Sequence, residues 1–291
     1  MIRRALVVGG AGAVGTLFTE RFLETGVAVT VVDAALRAPA DERVRRIRGD
    51  VTALGPDLAA ELERADVVVL ALPDAVALVA VRELAGALRS DTLLVDTLSV
   101  KQPIAEAIRT HAPDVQAVSV NPMFAPSLGF TGRPVAAVTV NDGPRVAQFL
   151  SLVEGWGSRV VRVGAAEHDR LAGAAQALPH AAVLGFGLAL AGLGVPAAGL
   201  REIAPPPMTT LLALLARIAS GTPEVYWDVQ AANPEAPEAR KALAEGLHRL
   251  AETVESGSED GFAAVLTELR DYLGDDLAHH GDACARLFTD I

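Results

Sequence analysis

Cysteine is nearly missing from this chain: Cys284 stands alone among 291 residues. One thiol cannot build a disulfide framework, and with no neighbouring ligand pattern it cannot build a zinc site. No metal is expected, and a reducing, cytoplasmic setting suits the chain best. Positive charge is scarce too. With 25 Lys and Arg against 36 Asp and Glu, the formal charge is -11. That balance excludes nucleic acid and anionic membrane surfaces as natural partners, because a phosphate backbone demands clustered cations. A small anionic substrate stays compatible if a few cations converge in a cleft. Uncharged apolar sequence is concentrated in residues 181–198, which reach the ~18 residues at which a membrane span becomes a candidate. The run is rich in Gly, contains Pro196 and starts beside His180, and it lacks flanking aromatic belts. It reads as a helix buried in the core or between subunits, and so favours an oligomer outside the membrane. No leader is expected either, since Met1-Ile2-Arg3-Arg4 runs straight into an apolar strand with no room for a cleavable signal.

What is present is a folded chain, 51% hydrophobic, of a length that suits two domains. β-like segments predict strands at residues 5–8, 27–32, 44–48, 67–70, 93–95, 115–120, 135–140 and 159–163, with helices between most of them. Runs such as Val67-Val68-Val69-Leu70 fit a parallel sheet covered on both faces. The fold class is therefore α/β, a Rossmann-type doubly wound and mostly parallel sheet over residues 1–165. From residue 166 the strand pattern stops. Residues 166–291 read as all-helical, broken at Gly194-Val195-Pro196, Pro205-Pro206-Pro207, Gly221-Thr222-Pro223, Asn233-Pro234 and a solvated turn over 255–261.

Chemistry in such sheets sits in the loops leaving the strands. Gly10-Ala11-Gly12-Ala13-Val14-Gly15 follows a strand, opens a helix and precedes Asp33 by 21 residues counted from Gly12. In this dinucleotide fingerprint Gly10 is expected to make the tight turn, Gly12 to admit the pyrophosphate and Gly15 to let helix and strand pack closely. Asp33 would bind the ribose hydroxyls and repel a 2′-phosphate, favouring NAD, while the nearby Arg37 keeps NADP open. Leu72-Pro73 belongs on the same edge. Ser99, in Asp96-Thr97-Leu98-Ser99-Val100-Lys101, can orient a reacting group or merely cap a helix. Asn121-Pro122-Met123-Phe124-Ala125-Pro126 reads as a loop leaving a strand, the place where the reaction is expected. In the helical half, Gln176 and His180 flank the apolar run, and His180 suits a structural role as well as a catalytic one. Arg217 is either a snorkelling surface arginine or a bidentate clamp for a carboxylate.

Taken in order with Glu167-His168-Asp169-Arg170 and the segment from Arg217 to Glu224, these motifs resemble the prephenate dehydrogenase family over nearly the whole chain. The resemblance implies a nucleotide-binding domain, an all-α C-terminal dimerisation domain and a homodimer. It implies oxidative decarboxylation of an anionic cyclohexadienyl pyruvate, with Arg217 on its carboxylate, His180, Gln176 and Met123 on the substrate side, and Ser99 orienting the ring substituent.

One position departs from the family. Asn121 stands where the family has the histidine that takes the ring hydroxyl's proton as hydride leaves. An amide cannot act as a general base near neutral pH. If the ring carbon bears an amine instead, the nitrogen lone pair can expel hydride and loss of CO₂ then restores an uncharged aromatic amine. No proton has to leave nitrogen, and Asn121 need only accept an N–H. The expected substrate is 4-amino-4-deoxyprephenate, giving 4-aminophenylpyruvate for aromatic amino acid or specialised-metabolite biosynthesis. The rivals are a prephenate or arogenate dehydrogenase of tyrosine biosynthesis in which His180 or a water replaces the base, a β-hydroxyacid dehydrogenase or imine reductase, and a non-catalytic NAD-binding sensor.

Overall fold

The computed structural model describes residues 1–36 and 41–289. The chain divides into two compact units, Met1–Ala172 and Gly173–Ile291. The first carries strands β1 (Arg4–Val8), β2 (Ala28–Asp33), β3 (Arg45–Arg48), β4 (Val67–Leu70), β5 (Leu93–Asp96), β6 (Gln116–Pro122), β7 (Pro134–Asn141) and β8 (Arg159–Arg162). Between them lie α1 (Ala13–Glu24), α2 (Pro56–Arg64), α3 (Asp74–Leu84), α4 (Gln102–His111) and α5 (Pro144–Gly155), and α6 (Ala165–Ala172) follows. All eight strands form where the sequence predicts them, with ends shifted by no more than two residues.

The strands make one sheet in the order β3-β2-β1-β4-β5-β6-β7-β8. Every pairing is parallel except β6 with β7. The order reverses between β1 and β4, so their carboxyl ends open a crevice of the kind where α/β sheets bind ligands. Side chains alternate between the two faces of the sheet. One face packs Val7, Val69 and Val95 against Phe18, Phe22, Phe130, Phe149 and Trp156; the other packs Leu6, Leu70 and Leu94 against Leu62, Ile104 and Ile108. Burial on both sides is what gives β4 four fully buried residues in a row.

One expectation about this sheet needs correction. Asn121 and Pro122 do not lie in a loop: they are the last residues of β6 and pair with Ala136 and Val135 of β7. Strand β5 ends at Asp96, opposite Ser119, so β6 outruns it. The Met123 N–H donates to Pro134 O in β7. Backbone N–H groups alternate sides along a strand, so the Pro122 nitrogen faces the side β5 has left, where a missing donor costs no ladder bond.

The second unit opens with a π-helical turn, Gly173–Ala177, that leads into α7 (Leu178–Gly192). After it come α8 (Ala197–Ile203), α9 (Pro206–Ala219), α10 (Pro223–Ala231), α11 (Ala236–Glu255), α12 (Glu259–Leu273) and α13 (Leu277–Thr289). Each break coincides with a Pro or Gly cluster seen in the sequence, and a further one occurs at Gly274, where φ is 50°. The apolar run 181–198 is not one helix, because α7 stops before Gly194, whose φ of 68° ends it. Nor is it buried in the core of the chain: Val183 alone in α7 is buried, and Leu188 is 75% exposed. Among the described residues, one helical stretch, 165–192, is long and apolar enough to cross a membrane by length and composition.

Candidate active site

The glycine loop forms at the carboxyl end of β1, but its glycines divide the work differently from the fingerprint reading. The left-handed turn belongs to Gly9, with φ of 80°, and not to Gly10. Gly10 is required for another reason, since a Cβ there would come within 2.5 Å of Val31 Cγ1. At Gly15 a Cβ would lie 2.3 Å from Gly9 O and 2.6 Å from Gly10 Cα, so close helix–loop packing is its role. Gly12 donates its N–H to Gly9 O at 3.1 Å and stands at the N-cap of α1.

Ala13 and Val14 begin a helix with neither a capping side chain nor an acidic residue in its first turn. Its N-terminal donors and positive dipole end are thus left for an anion. Asp33 Oδ2 accepts the Ala11 N–H at 3.0 Å and Oδ1 accepts the Ala35 N–H at 2.8 Å. This fixes the carboxylate at the loop. Gly9, Gly12, Asp33, Leu72 and Pro73 line one groove of about 260 Å³. Gly49, Asp50 and Val51, beyond β3, complete it and were not signalled by any motif. These features fit a dinucleotide: bare helix donors for its phosphates, glycines where side chains would intrude, and a carboxylate at the end of β2. Arg37 lies outside the described residues.

At the ends of β5 and β6 a buried polar network appears. Asp96 Oδ1 accepts from Lys101 Nζ at 3.0 Å, Ser119 Oγ at 2.8 Å and the Leu98 N–H at 3.2 Å. Lys101 Nζ also donates to Val120 O at 2.9 Å. Both members of the ion pair are fully buried. Burial pushes the Lys101 ammonium below its ordinary value, and the Asp96 carboxylate opposes that shift. The pair closes the loop that carries Ser99, which is half-buried and has no hydrogen-bond partner among the described residues. Ser99 does not cap α4; Lys101 occupies that position.

The cap itself comes from α6. Asp169 Oδ1 accepts the Lys101 N–H at 2.7 Å and Oδ2 accepts the Gln102 N–H at 2.9 Å. Burial raises the Asp169 pKa, but its hydrogen bonds from His168 and the two backbone donors outweigh that and hold it below the usual carboxylate range. His168 Nδ1 lies 2.9 Å from Asp169 Oδ1, and His168 Nε2 lies 3.2 Å from Asn121 Nδ2. Asn121 is 3% exposed. His168 and Asp169 belong to a motif that carries the family resemblance but has no role assigned from the sequence, and nothing local shows that His168 reaches Asn121, 47 positions away. Met123, just beyond β6, is half-buried.

In the helical unit, Gln176 lies half-buried in the π turn, a distortion frequent at functional sites. His180, in the first turn of α7, has its ring edge-to-face with Tyr226 at 5.2 Å. Its Nδ1 is buried and unpaired among the described residues. Burial first and the charge of Arg217 second push the imidazole below its ordinary pKa, so it is neutral at neutral pH. Arg217 closes α9, exposed and without an ion pair among the described residues. The structure thus brings His180 and Arg217 together and adds Tyr226, whose ring occupies the space a Cβ at Gly221 would need, 2.5 Å from Tyr226 Cε2.

Comparison with known proteins gives this arrangement a family. The profile of the prephenate dehydrogenase nucleotide-binding domain matches residues 26–161, and that of the prephenate dehydrogenase dimerization domain matches residues 164–268. Over 286 residues the chain is 56% identical to the 4-amino-4-deoxyprephenate dehydrogenase of Streptomyces pristinaespiralis, covering 98% of this chain and 96% of that one. It is 26% identical to the probable arogenate/prephenate dehydrogenase of Methanocaldococcus jannaschii, over 73% of this chain and 49% of that one. The fold of the Aquifex aeolicus prephenate dehydrogenase, solved with hydroxyphenyl propionate and NAD+, superposes with a TM-score of 0.72 at 18% identity, covering 94% of this chain and 97% of that one. The chain belongs to the prephenate dehydrogenase family.

Proposed function

We propose that the chain catalyses the NAD-dependent oxidative decarboxylation of 4-amino-4-deoxyprephenate to 4-aminophenylpyruvate. The observation that carries this reading is Asn121, an amide fixed at the end of β6 in the position where the family resemblance puts the group that faces the ring substituent. It is supported by the 56% identity to a relative named for that substrate. Asn121 accepts an N–H of the substrate amine and leaves its proton in place, because a nitrogen lone pair expels hydride without help from a base, whereas the weaker oxygen donor of a hydroxyl needs one to proceed well. NAD, when bound, accepts the hydride. The α1 N-terminus and the loop from Gly10 through Ala11, Gly12, Ala13 and Val14 to Gly15 hold its pyrophosphate, Asp33 its ribose, and Leu72 and Pro73 the groove wall.

The remaining roles follow from chemistry. Arg217, a guanidinium with no ion pair among the described residues, captures a substrate carboxylate. His180, kept neutral by burial and by Arg217, accepts or donates a hydrogen bond without adding charge. Ser99 orients the ring substituent, and Gln176 and Met123 border the substrate. Residues 1–165 serve as the nucleotide-binding domain, and 166–291 as the substrate-binding and dimerisation domain of a cytoplasmic homodimer. The apolar residues left exposed on α7, Leu188 among them, supply surface for the partner. The test is product identity: incubation with 4-amino-4-deoxyprephenate and NAD should yield 4-aminophenylpyruvate, CO₂ and reduced nicotinamide in equal amounts. Nicotinamide reduction without CO₂ release, or no turnover at all, overturns the proposal.

A further inference from the structure

The Asn121 amide has two chemically opposite ends, and its value as a selector depends on which end is presented. Among the described residues the side chain makes one hydrogen bond, between Nδ2 and His168 Nε2 at 3.2 Å. What His168 can accept is decided one step further along. Asp169 receives the Lys101 and Gln102 N–H groups as well as His168 Nδ1, so its carboxylate is an acceptor on every side. The proton between them must therefore sit on His168 Nδ1. A neutral imidazole with Nδ1–H carries a lone pair on Nε2, and that lone pair demands a donor from Asn121. The amide nitrogen is turned to His168, and Oδ1 is the free end; it is not sealed inside the protein.

We propose that His168 and Asp169 are positioning residues that fix the orientation of the Asn121 amide, so that the enzyme presents a carbonyl acceptor and not an N–H donor, which would tie up the single lone pair of a substrate amine but leave a hydroxyl its second one. This rests on the amino-substrate reading for its functional meaning, but the orientation is a property of the protein alone. Capping of α4 and amide orientation are thereby tied to one carboxylate, since Asp169 can leave neither the helix nor His168 without disturbing the other.

Imidazole ¹⁵N correlation spectra of the full-length protein at neutral pH test the orientation without any substrate. The chain has six histidines, and His168→Gln identifies the signal of interest by its loss. The expected result is a protonated Nδ1 and an unprotonated Nε2 for His168. A protonated Nε2, in the other tautomer or in an imidazolium, overturns the proposal whatever the enzyme's substrate proves to be. The same variant gives the functional readout, because glutamine can donate or accept at that position and no longer dictates the amide. The ratio of kcat/KM for the amino substrate to that for prephenate should fall about tenfold, the scale of one correctly matched hydrogen bond against a mismatched one, with the change in the ratio and not a uniform loss. An unchanged ratio in a folded variant overturns the selector role.

Discussion

The polar groups around Asn121 in the nucleotide-binding unit are tied to one another, whereas in the helical unit Arg217 is exposed and His180 keeps a ring nitrogen unpaired among the described residues. Lys101, Asp96, Ser119, Asn121, His168 and Asp169 form bonds that knit β5, β6, α4 and α6 together. Arg217 lies at a helix end without an ion pair, and His180 Nδ1 is buried without a partner among the described residues. A hydrogen-bonded network rigidifies what it touches. An unpaired cation and an unpaired ring nitrogen are instead groups waiting for a ligand or a second subunit. On the proposed reading the first unit holds a preset selector, and the second holds groups whose partners arrive with the substrate.

Changes in the two units should therefore have different signatures. The largest effect is expected at the selector. Asn121→His restores a base at the family's position and should raise prephenate turnover by roughly 10²- to 10⁴-fold in steady-state assays; an unchanged rate would mean that another group already serves as base. Next in size is the ion pair beneath it. Lys101→Ala leaves a buried carboxylate unpaired and should cost about 3–5 kcal/mol in urea unfolding, with most of that recovered when Asp96→Leu is added.

In the helical unit the effect should fall on affinity and spare the fold. Arg217→Leu is expected to lower kcat/KM about 10²-fold, mainly through KM, with an unfolding midpoint close to that of the parent protein. Arg217→Lys should recover little, because an ammonium lacks the planar fork. A stability loss in place of a KM effect would remove the contrast between the units. Smaller again is the electrostatic link to His180. Its pKa is lowered by burial and then by Arg217, so Arg217→Leu should move its titration upward, still short of the ordinary value, in a histidine proton NMR titration. Both shifts disfavour the imidazolium. The folded state therefore loses stability from this group as pH falls through the ordinary histidine range.

The sheet was readable because burial on both faces leaves unbroken Val and Leu runs, and β4 matches its predicted limits at both ends. The helical half was readable in its breaks, where Pro and Gly interrupt it. The sequence does not show that β6 outruns β5, because that depends on where a neighbouring strand stops, and Asn121 was therefore placed in a loop. Gly9 was passed over for Gly10, since both glycines look alike until φ and the approach of Val31 separate them. The role of His168 is the largest feature that the sequence does not show. Its contact with Asn121 joins α6 to β6 across 47 residues, and no local periodicity encodes such a pairing. Arg217 and His180 were picked out by their chemistry, and their proximity emerged only from the packing of α7, α9 and α10.

The most direct measurement compares kcat/KM for 4-amino-4-deoxyprephenate and for prephenate, with NAD, by following absorbance of the reduced nicotinamide under identical conditions. If Asn121 selects nitrogen over oxygen, the amino compound is turned over well and prephenate roughly 10²-fold or more slowly. Comparable or faster turnover of prephenate would contradict it.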